Sequence, residues 1–196
     1  MGKFSQFVIE CAQMGRWRVP LGFAAGALYA VFAHAPGRLR MAAGLGIALS
    51  GLWLRAWAAG YLEKGRRLAQ DGPYAFWRHP LYAGSFLLAL GFSVAGTGPE
   101  RPGSGLWVWM VFLLLFLGVY PRRIREEEES LERYFGDAWR SYHQRTHRFF
   151  PRFSPLRREN PDRFLWSRYR KNKEYNALLG WLVGAGVIFF KAVLGR

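Results

Sequence analysis

Residues 71–95, DGPYAFWRHPLYAGSFLLALGFSVA, decide the fold because a polar and basic loop passes directly into an uncharged apolar run. Pro80 suits the first turn of a helix, where its missing N–H has no partner to lose, and this places His79 at the N-cap. The run from Leu81 to Ala95 is therefore predicted to be a membrane helix. Its polar groups are collected at its N-terminal end.

Four further apolar stretches lie on either side of this helix and make a bundle. They are Val19 to Ala33, Met41 to Leu62, Leu106 to Tyr120 and Ala177 to Leu194, of which the second is interrupted by Arg55 and the last by Lys191. Several are shorter than the roughly 20 residues that cross a bilayer, so neighbouring Trp and Tyr are expected to extend them into the interface. The last stretch also fits a helix that lies on the membrane.

The sequence is thus predicted to be all-α, an integral membrane helical bundle of about five transmembrane helices plus a cytoplasmic amphipathic helix. We expect one domain over residues 1–196, with its characteristic motifs in residues 71–151. A basic extension and the last apolar helix follow in residues 152–196.

The positive charge of the chain is unevenly distributed. The formal net charge is +15, and 15 of the 28 Lys and Arg fall in residues 122–173. Residues 64–78 are also basic, whereas residues 96–105 hold a single arginine. By the positive-inside rule the basic segments face the cytoplasm, although Arg38 and Arg40 in a short turn oppose this assignment. A multi-pass protein with its active site facing the cytoplasm is predicted.

Charge and composition also bear on possible partners. Membrane topology accounts for the basic charge, and the sequence contains no motif of a domain that recognises a groove of DNA or RNA. No nucleic-acid partner is therefore expected. Cys11 is the single cysteine, which excludes an internal disulfide and a cysteine-based zinc site. His143 and His147 are too few for a metal site, and the neighbouring arginines repel cations, so no metal is expected. Membrane lipids are the expected surroundings.

The start of the Leu81–Ala95 helix carries groups that suit an anionic ligand. Free backbone N–H groups and the positive end of the helix dipole attract a carboxylate there. Arg78 adds a fork of donors, His79 a switchable donor or acceptor, and Tyr82 a hydroxyl. Gly84 lacks bulk, which would let a ligand or a neighbouring helix approach. A capped membrane helix with interfacial anchors is the alternative interpretation.

A run of four glutamates begins a second motif. Apolar residues recur at helical spacing from Arg125 to Tyr142, which predicts one amphipathic helix with Leu131, Tyr134, Phe135, Ala138, Trp139 and Tyr142 on its apolar face. Glu127 and Glu128 lie at the edges of that face, whereas Glu126 and Glu129 point the other way.

A carboxylate on a packed face is costly unless it is paired, by several kcal/mol. A cation should therefore meet Glu127 and Glu128. Arg78, Arg122 and Arg123 are the candidates within the chain, and the ammonium or sulfonium of a cofactor is a candidate outside it. A purely structural salt bridge remains open.

Together the two motifs resemble those of a known family. GPYAFWRHPLYAG at residues 72–84 and RIREEEESLERYFGDAWRSYHQRTHRFFP at residues 123–151 look like the signature blocks of the isoprenylcysteine carboxyl methyltransferase and phospholipid methyltransferase group. The resemblance implies an all-helical membrane methyltransferase that uses S-adenosylmethionine and a lipidic, prenylated or otherwise hydrophobic acceptor. It implies that the cofactor is bound by Tyr74, His79, Pro80, Leu81, Tyr82, Gly84, Glu127 and Glu128.

Arg78 and Glu128 are the candidate catalytic residues. A carboxylate acceptor is already ionised at neutral pH and could be oriented by Arg78. An amine or thiol acceptor would need a base, for which His79 or Glu128 is nearest.

Several functions remain open besides an isoprenylcysteine carboxyl O-methyltransferase. A phospholipid N-methyltransferase or a small thiol or amine methyltransferase would fit the same fold. An NADPH-dependent sterol-type reductase is a further alternative, because such reductases resemble this chain in a related R-H block and in a second block that ends in a D-W-x-x-Y pattern similar to Asp137-Ala-Trp-Arg-Ser-Tyr142. An inert membrane adaptor is the last. Trp139 stands where the family usually has Tyr, and the basic extension leaves the acceptor undecided.

Overall fold

The computed structural model describes residues 26–34, 37–99 and 102–194, and all regular structure in these ranges is helical. The helices are α1 Arg38–Tyr61, α2 Pro80–Ala95, α3 Pro102–Leu113, α4 Tyr120–Phe135, α5 Asp137–Arg145, α6 Trp166–Lys171 and α7 Tyr175–Leu194. A 3₁₀ turn, Gly72–Ala75, precedes α2. The all-α prediction is confirmed. Residues 26–32 are helical, but most of the predicted span Val19–Ala33 lies outside the described residues.

Within the described residues three helices are long and apolar enough to cross a bilayer, which makes the chain a membrane protein. They are α1, the continuous helix Gly105–Phe135 and α7. Helix α2 is apolar but has only 16 residues. The predicted spans Met41–Leu62 and Ala177–Leu194 coincide with α1 and α7 to within a few residues.

Helices α1 and α2 make the closest contact of the bundle. A methyl group added at Gly44, Gly51 or Gly91 would overlap the backbone of the opposite helix. Small residues allow such close approach between membrane helices, where dispersion contacts provide much of the attraction. This contact places the start of α2 against the second half of α1.

Helices α3 and α4 form one rod, because a π-helical stretch, Leu114–Val119, joins them without a break. The helix Gly105–Phe135 has 31 residues, or about 46 Å at 1.5 Å per residue, which exceeds a hydrocarbon core of about 30 Å. Its apolar part ends at Tyr120, as predicted for the span Leu106–Tyr120. The charged turns from Arg122 onward therefore project beyond the membrane-spanning part.

The predicted single amphipathic helix from Arg125 to Tyr142 is wrong in its continuity. Gly136 has φ 52°, a left-handed value that glycine adopts readily, and it ends α4 before α5 begins at Asp137. The chain changes direction there, so Ala138 is exposed although the periodicity places it on the apolar face. Trp139 and Tyr142 are nevertheless buried.

Residues 146–165, which we call the strap, connect α5 to α6 without regular helix. The strap runs back over the loop before α2 and is fastened to it by backbone hydrogen bonds. The N–H groups of Arg152 and Leu156 donate to the carbonyls of Phe76 and Ala75, each at 3.0 Å. The N–H of Leu165 donates to the carbonyl of Gly60 at the end of α1, also at 3.0 Å.

Candidate functional site

The start of α2, the charged part of α4 and the strap meet at one buried point. Pro80 occupies the first helical turn and His79 the N-cap, as predicted, but the imidazole makes no capping bond. His79 Nε2 lies 3.0 Å from Glu128 Oε1 instead, and His79 is only 3% exposed. The loop before α2 is thereby attached to α4.

Three side chains from two segments converge on the Glu128 carboxylate. Arg78 Nη1 lies 3.0 Å from Oε1, beside His79, and Arg148 of the strap donates from Nε to Oε2 at 3.0 Å and also from Nη2. We call these four residues the Glu128 cluster. Burial alone would raise the pKa of Glu128, but hydrogen bonds from His79 and Arg148 and the charge of Arg78 lower it to about 2. Glu128 is therefore a carboxylate at neutral pH, and His79 Nε2 must carry the shared proton.

Two buried polar groups near the start of α2 have donors to spare. Arg78 Nε is buried and has no hydrogen-bond partner among the described residues, and the same is true of the Tyr74 hydroxyl. Burial lowers the pKa of Arg78, and the charge of Arg148 lowers it further, although Glu128 raises it. Burial also raises the pKa of the Tyr74 hydroxyl, which stays protonated. Buried donors of this kind suit a polar ligand, since an unmade hydrogen bond costs free energy.

The second inward glutamate is held by an aromatic side chain of α2. The Tyr82 hydroxyl donates to Glu127 Oε2 at 2.9 Å, and the Tyr82 ring packs edge-on against Tyr120 at 5.3 Å. Glu126 and Glu129 are both exposed, whereas Glu127 is half-buried and Glu128 is buried. The predicted helical phase of the four glutamates is confirmed.

The cations that meet the glutamates are only partly those expected. Arg78 is a partner of Glu128, but Arg122 is exposed and Arg123 pairs with the outward Glu126 at 3.1 Å. Sequence reasoning missed Arg148, which lies 20 residues beyond Glu128 within the second motif. Its position within that motif is the sequence feature that could have identified it as a site residue.

A second ion pair adjoins the start of α2. Arg55 of α1 donates from Nε and Nη2 to both carboxylate oxygens of Glu174, at 3.0 Å and 2.9 Å, and also donates to the Ser85 hydroxyl and the Leu81 carbonyl. A methyl group at Gly84 would lie 2.6 Å from Arg55 Cγ. The small size of Gly84 thus admits a neighbouring helix, which was one of its two predicted roles. The sequence indicated Arg55 only as an interruption of a span.

A cleft of about 290 Å³ opens beside Glu128 on the outside of α4 and α5. Its walls are largely charged and polar, and it is lined by Arg125, Glu128, Glu129, Glu132, Trp139, Arg140, His143, Gln144 and Arg148. Burial lowers the pKa of His143, and the nearby charge of Arg78 lowers it further, so this imidazole is neutral at pH 7. The cleft brings solvent to the outer side of the Glu128 cluster.

The fold and the site define a membrane protein in which paired glutamates of a projecting helix meet an Arg-His-Pro helix start. The model of the isoprenylcysteine carboxyl methyltransferase (ICMT) family matches residues 49–133, which include α1 from its middle onward, α2 and the Glu128 helix. The chain belongs to this family, and the resemblance predicted from the two motifs is confirmed.

Three curated relatives support this assignment. The chain is 31% identical over 185 residues to the cobalt-zinc-cadmium resistance protein CzcN of Cupriavidus metallidurans. The aligned region covers 90% of this chain and 79% of that protein. It is 29% identical over 144 residues to the nickel-cobalt-cadmium resistance protein NccN of Alcaligenes xylosoxydans xylosoxydans, with 72% and 62% covered. It is 33% identical over 85 residues to a protein-S-isoprenylcysteine O-methyltransferase of Schizosaccharomyces pombe, with 43% and 33% covered. No solved structure matches the chain.

Proposed function

We propose that the protein transfers a methyl group from S-adenosylmethionine to a lipidic or hydrophobic acceptor at the cytoplasmic face of the membrane. The observation that carries the proposal is the buried Glu128 carboxylate, fixed between Arg78, His79 and Arg148 at the start of a membrane helix. Membership of the ICMT family supports the reaction class. The acceptor class follows from the position of the site at the end of membrane helices.

The residues at the site fit a ligand that carries both signs of charge, as this cofactor does. Glu127 and Glu128 provide negative charge for an ammonium and a sulfonium, and the spare hydroxyl donor of Tyr74 suits a carboxylate. The binding set proposed from the motifs is kept, namely Tyr74, His79, Pro80, Leu81, Tyr82, Gly84, Glu127 and Glu128. In this set Gly84 contributes by letting α1 approach.

The cofactor, when bound, supplies a methyl carbon on a sulfonium that leaves as a neutral thioether. The work of the protein is then to hold the acceptor atom in line, and such positioning contributes roughly 7–11 kcal/mol. Arg78 would orient a carboxylate acceptor with its unused donor. Glu128 has a pKa of about 2 and so is a weak base, which favours a binding role for it. An amine or thiol acceptor would give its proton to His79, through the ring nitrogen that does not face Glu128.

Two relatives are named for metal resistance, and we do not extend that role to this chain. The reaction class proposed here is that of the ICMT family. Within the described ranges no three His, Cys, Asp or Glu side chains are grouped so that they could hold a metal ion.

An NADPH-dependent reductase is distinguished from the methyltransferase by thermal stabilisation in detergent. For a methyltransferase we expect S-adenosylhomocysteine to stabilise the protein and NADPH to have no effect, whereas stabilisation by NADPH alone would favour the reductase.

The acceptor is expected to be amphiphilic and to approach laterally from the bilayer. A prenylated cysteine analogue, a fatty-acyl phospholipid and a short soluble thiol would be compared in nanodiscs with labelled cofactor, with products read by mass spectrometry. Each buried CH₂ contributes roughly 0.8 kcal/mol, so methylation efficiency should rise about four-fold per methylene until further methylenes are no longer buried.

The controls for this comparison use two arginines. If the methylated group is a carboxylate, Arg78→Lys should reduce turnover more than cofactor binding, because Lys keeps the charge but loses the planar fork. The same change at Arg122, which is exposed on α4, should alter neither quantity. Faster methylation of the soluble thiol than of both lipidic compounds would contradict a lipidic acceptor.

The multi-pass topology and the cytoplasmic position of the site form a separate prediction. The distribution of Lys and Arg places residues 62–79 and 122–175 on the cytoplasmic side and residues 96–105 on the other side. In a Cys11→Ser background, Ser154→Cys should react with a membrane-impermeant maleimide only from the cytoplasmic side, and Gly103→Cys only from the opposite side. Both residues are exposed, so accessibility does not depend on the fold opening. Labelling of both from one side would refute this topology.

A further inference from the structure

The strap exposes large aromatic side chains. Phe150 is 81% exposed, and Phe153, at 109%, is as accessible as in an extended chain. Phe149, Leu165 and the adjoining Trp166 are also exposed. Exposed apolar side chains collected in one segment of a protein surface mark a contact with another molecule or with a membrane.

The exposure of these side chains does not arise from a loose loop. Backbone hydrogen bonds fix the strap at His147, Arg152, Leu156 and Leu165 to the loop before α2 and to the end of α1. The Asp71 carboxylate also accepts from Arg158 Nη1 at 2.9 Å. The backbone is therefore held against the protein, and the phenylalanines are presented outward from a fixed support.

Basic residues are interleaved with these aromatic residues. Between residues 146 and 165 there are five arginines and only two acidic residues, Glu159 and Asp162. Arg148, Arg157, Arg158 and Arg163 are exposed. Alternation of Arg with Phe and Trp is typical of segments that lie in the membrane interface, where each basic residue gains from anionic lipid.

The strap is attached to the end of one membrane helix and leads into another. Its last residue bonds to Gly60, one residue before the end of α1, and α7 begins ten residues after it at Tyr175. Helix α7 exposes Leu178, Leu179 and Leu182 along a face that would contact lipid. The aromatic patch is thus close along the chain to a lipid-facing surface, which argues for a bilayer as its partner.

We propose that the strap is a docking surface for anionic phospholipids of the adjacent leaflet, with its phenylalanines inserted among the lipids and with Arg157 and Arg163 on the phosphate groups. This inference does not depend on methyl transfer. Because Arg148 belongs both to the strap and to the Glu128 cluster, the docked strap also fixes one wall of the candidate site.

The test places a fluorophore on Phe153→Cys in a Cys11→Ser background, with the full chain in nanodiscs that contain brominated phosphatidylcholine or brominated phosphatidylglycerol. Both lipids should quench the fluorophore, and phosphatidylglycerol should bind more tightly. Arg157→Gln combined with Arg163→Gln should lower that preference roughly five-fold per arginine, and high salt should lower it as well. All three residues are exposed, so these variants should fold normally.

The control variant Arg125→Gln with Arg140→Gln removes the same charge from exposed positions on α4 and α5, and should leave the lipid preference unchanged. Equal quenching by both lipids would overturn the proposal, as would a preference that the strap arginines do not alter. Absence of quenching by either lipid would also overturn the proposal, because the fluorophore would then lie outside the bilayer.

Discussion

Glu128→Gln is expected to be the most damaging of the four single Glu→Gln changes in residues 126–129. The Glu128 side chain is 9% exposed and faces Arg78, His79 and Arg148 together. Glutamine keeps the shape but leaves the buried cations without a counter-charge, and removing one partner of a buried ion pair costs about 3–5 kcal/mol. We therefore expect a large fall in thermal stability in detergent and loss of S-adenosylhomocysteine binding on the protein that remains folded.

The neighbouring glutamates provide matched controls on the same helix. Glu126→Gln and Glu129→Gln alter exposed side chains and should change stability by less than about 1 kcal/mol. Glu127→Gln keeps an acceptor for Tyr82 but loses the charge, so it should weaken cofactor binding with a smaller effect on stability. Thermal unfolding and titration calorimetry on all four variants would measure this order. Equal losses at all four positions would contradict the assigned helical phase.

The pH dependence of Glu128→Gln provides a further check on the same variant. The pKa of Glu128 in the folded protein is about 2, below its ordinary value of 4.5, so its contribution to stability is complete above the unfolded value. That contribution is lost as pH falls toward 2. The difference in stability between the wild type and Glu128→Gln should therefore be constant from about pH 5 to pH 8 and should shrink in acid. A difference that changed near neutral pH would point to another titrating group.

Local patterns in the sequence predicted those features that depend on one element at a time. Pro80 and His79 mark the start of α2, because proline is compatible with the first turn alone. The inward orientation of Glu127 and Glu128 follows from the rotation of about 100° per residue along helix α4. The apolar stretches predicted α1, α2 and α7 because length and composition are sufficient for membrane helices.

Contacts between residues that are far apart in the sequence could not be predicted in this way. Periodicity indicates that Glu128 is buried, but it does not indicate that Arg148 reaches it after the chain turns at Gly136. The turn itself was readable, since glycine followed by Asp137 suits a helix end and a new helix start. Arg55 and Glu174 are 119 residues apart, and no local pattern could have paired them.

Glu174→Gln is expected to destabilise the protein by about 3–5 kcal/mol, because its partner Arg55 would remain buried and uncompensated. The two side chains are 11% and 9% exposed, with Arg55 Nη2 2.7 Å from Glu174 Oε2. Arg55 also donates to the Leu81 carbonyl and the Ser85 hydroxyl, so the pair fastens α1 and the start of α7 to the first turns of α2. Loss of the pair should therefore loosen the helix start that carries His79 and Tyr82.

The double variant Arg55→Met with Glu174→Leu separates charge from packing. Replacing both partners of a buried pair by apolar residues of similar volume is often neutral or stabilising, so the double variant should recover most of the stability that Glu174→Gln loses. The control is Glu132→Gln, whose partner Arg140 is 62% exposed, and this change should cost less than about 1 kcal/mol. Thermal unfolding in detergent would be compared across the single, double and control variants. If Glu174→Gln cost no more than Glu132→Gln, the pair would contribute little. If the double variant were as unstable as the single, the stabilisation would come from packing and from the bonds to α2, and the charge on Arg55 would be secondary.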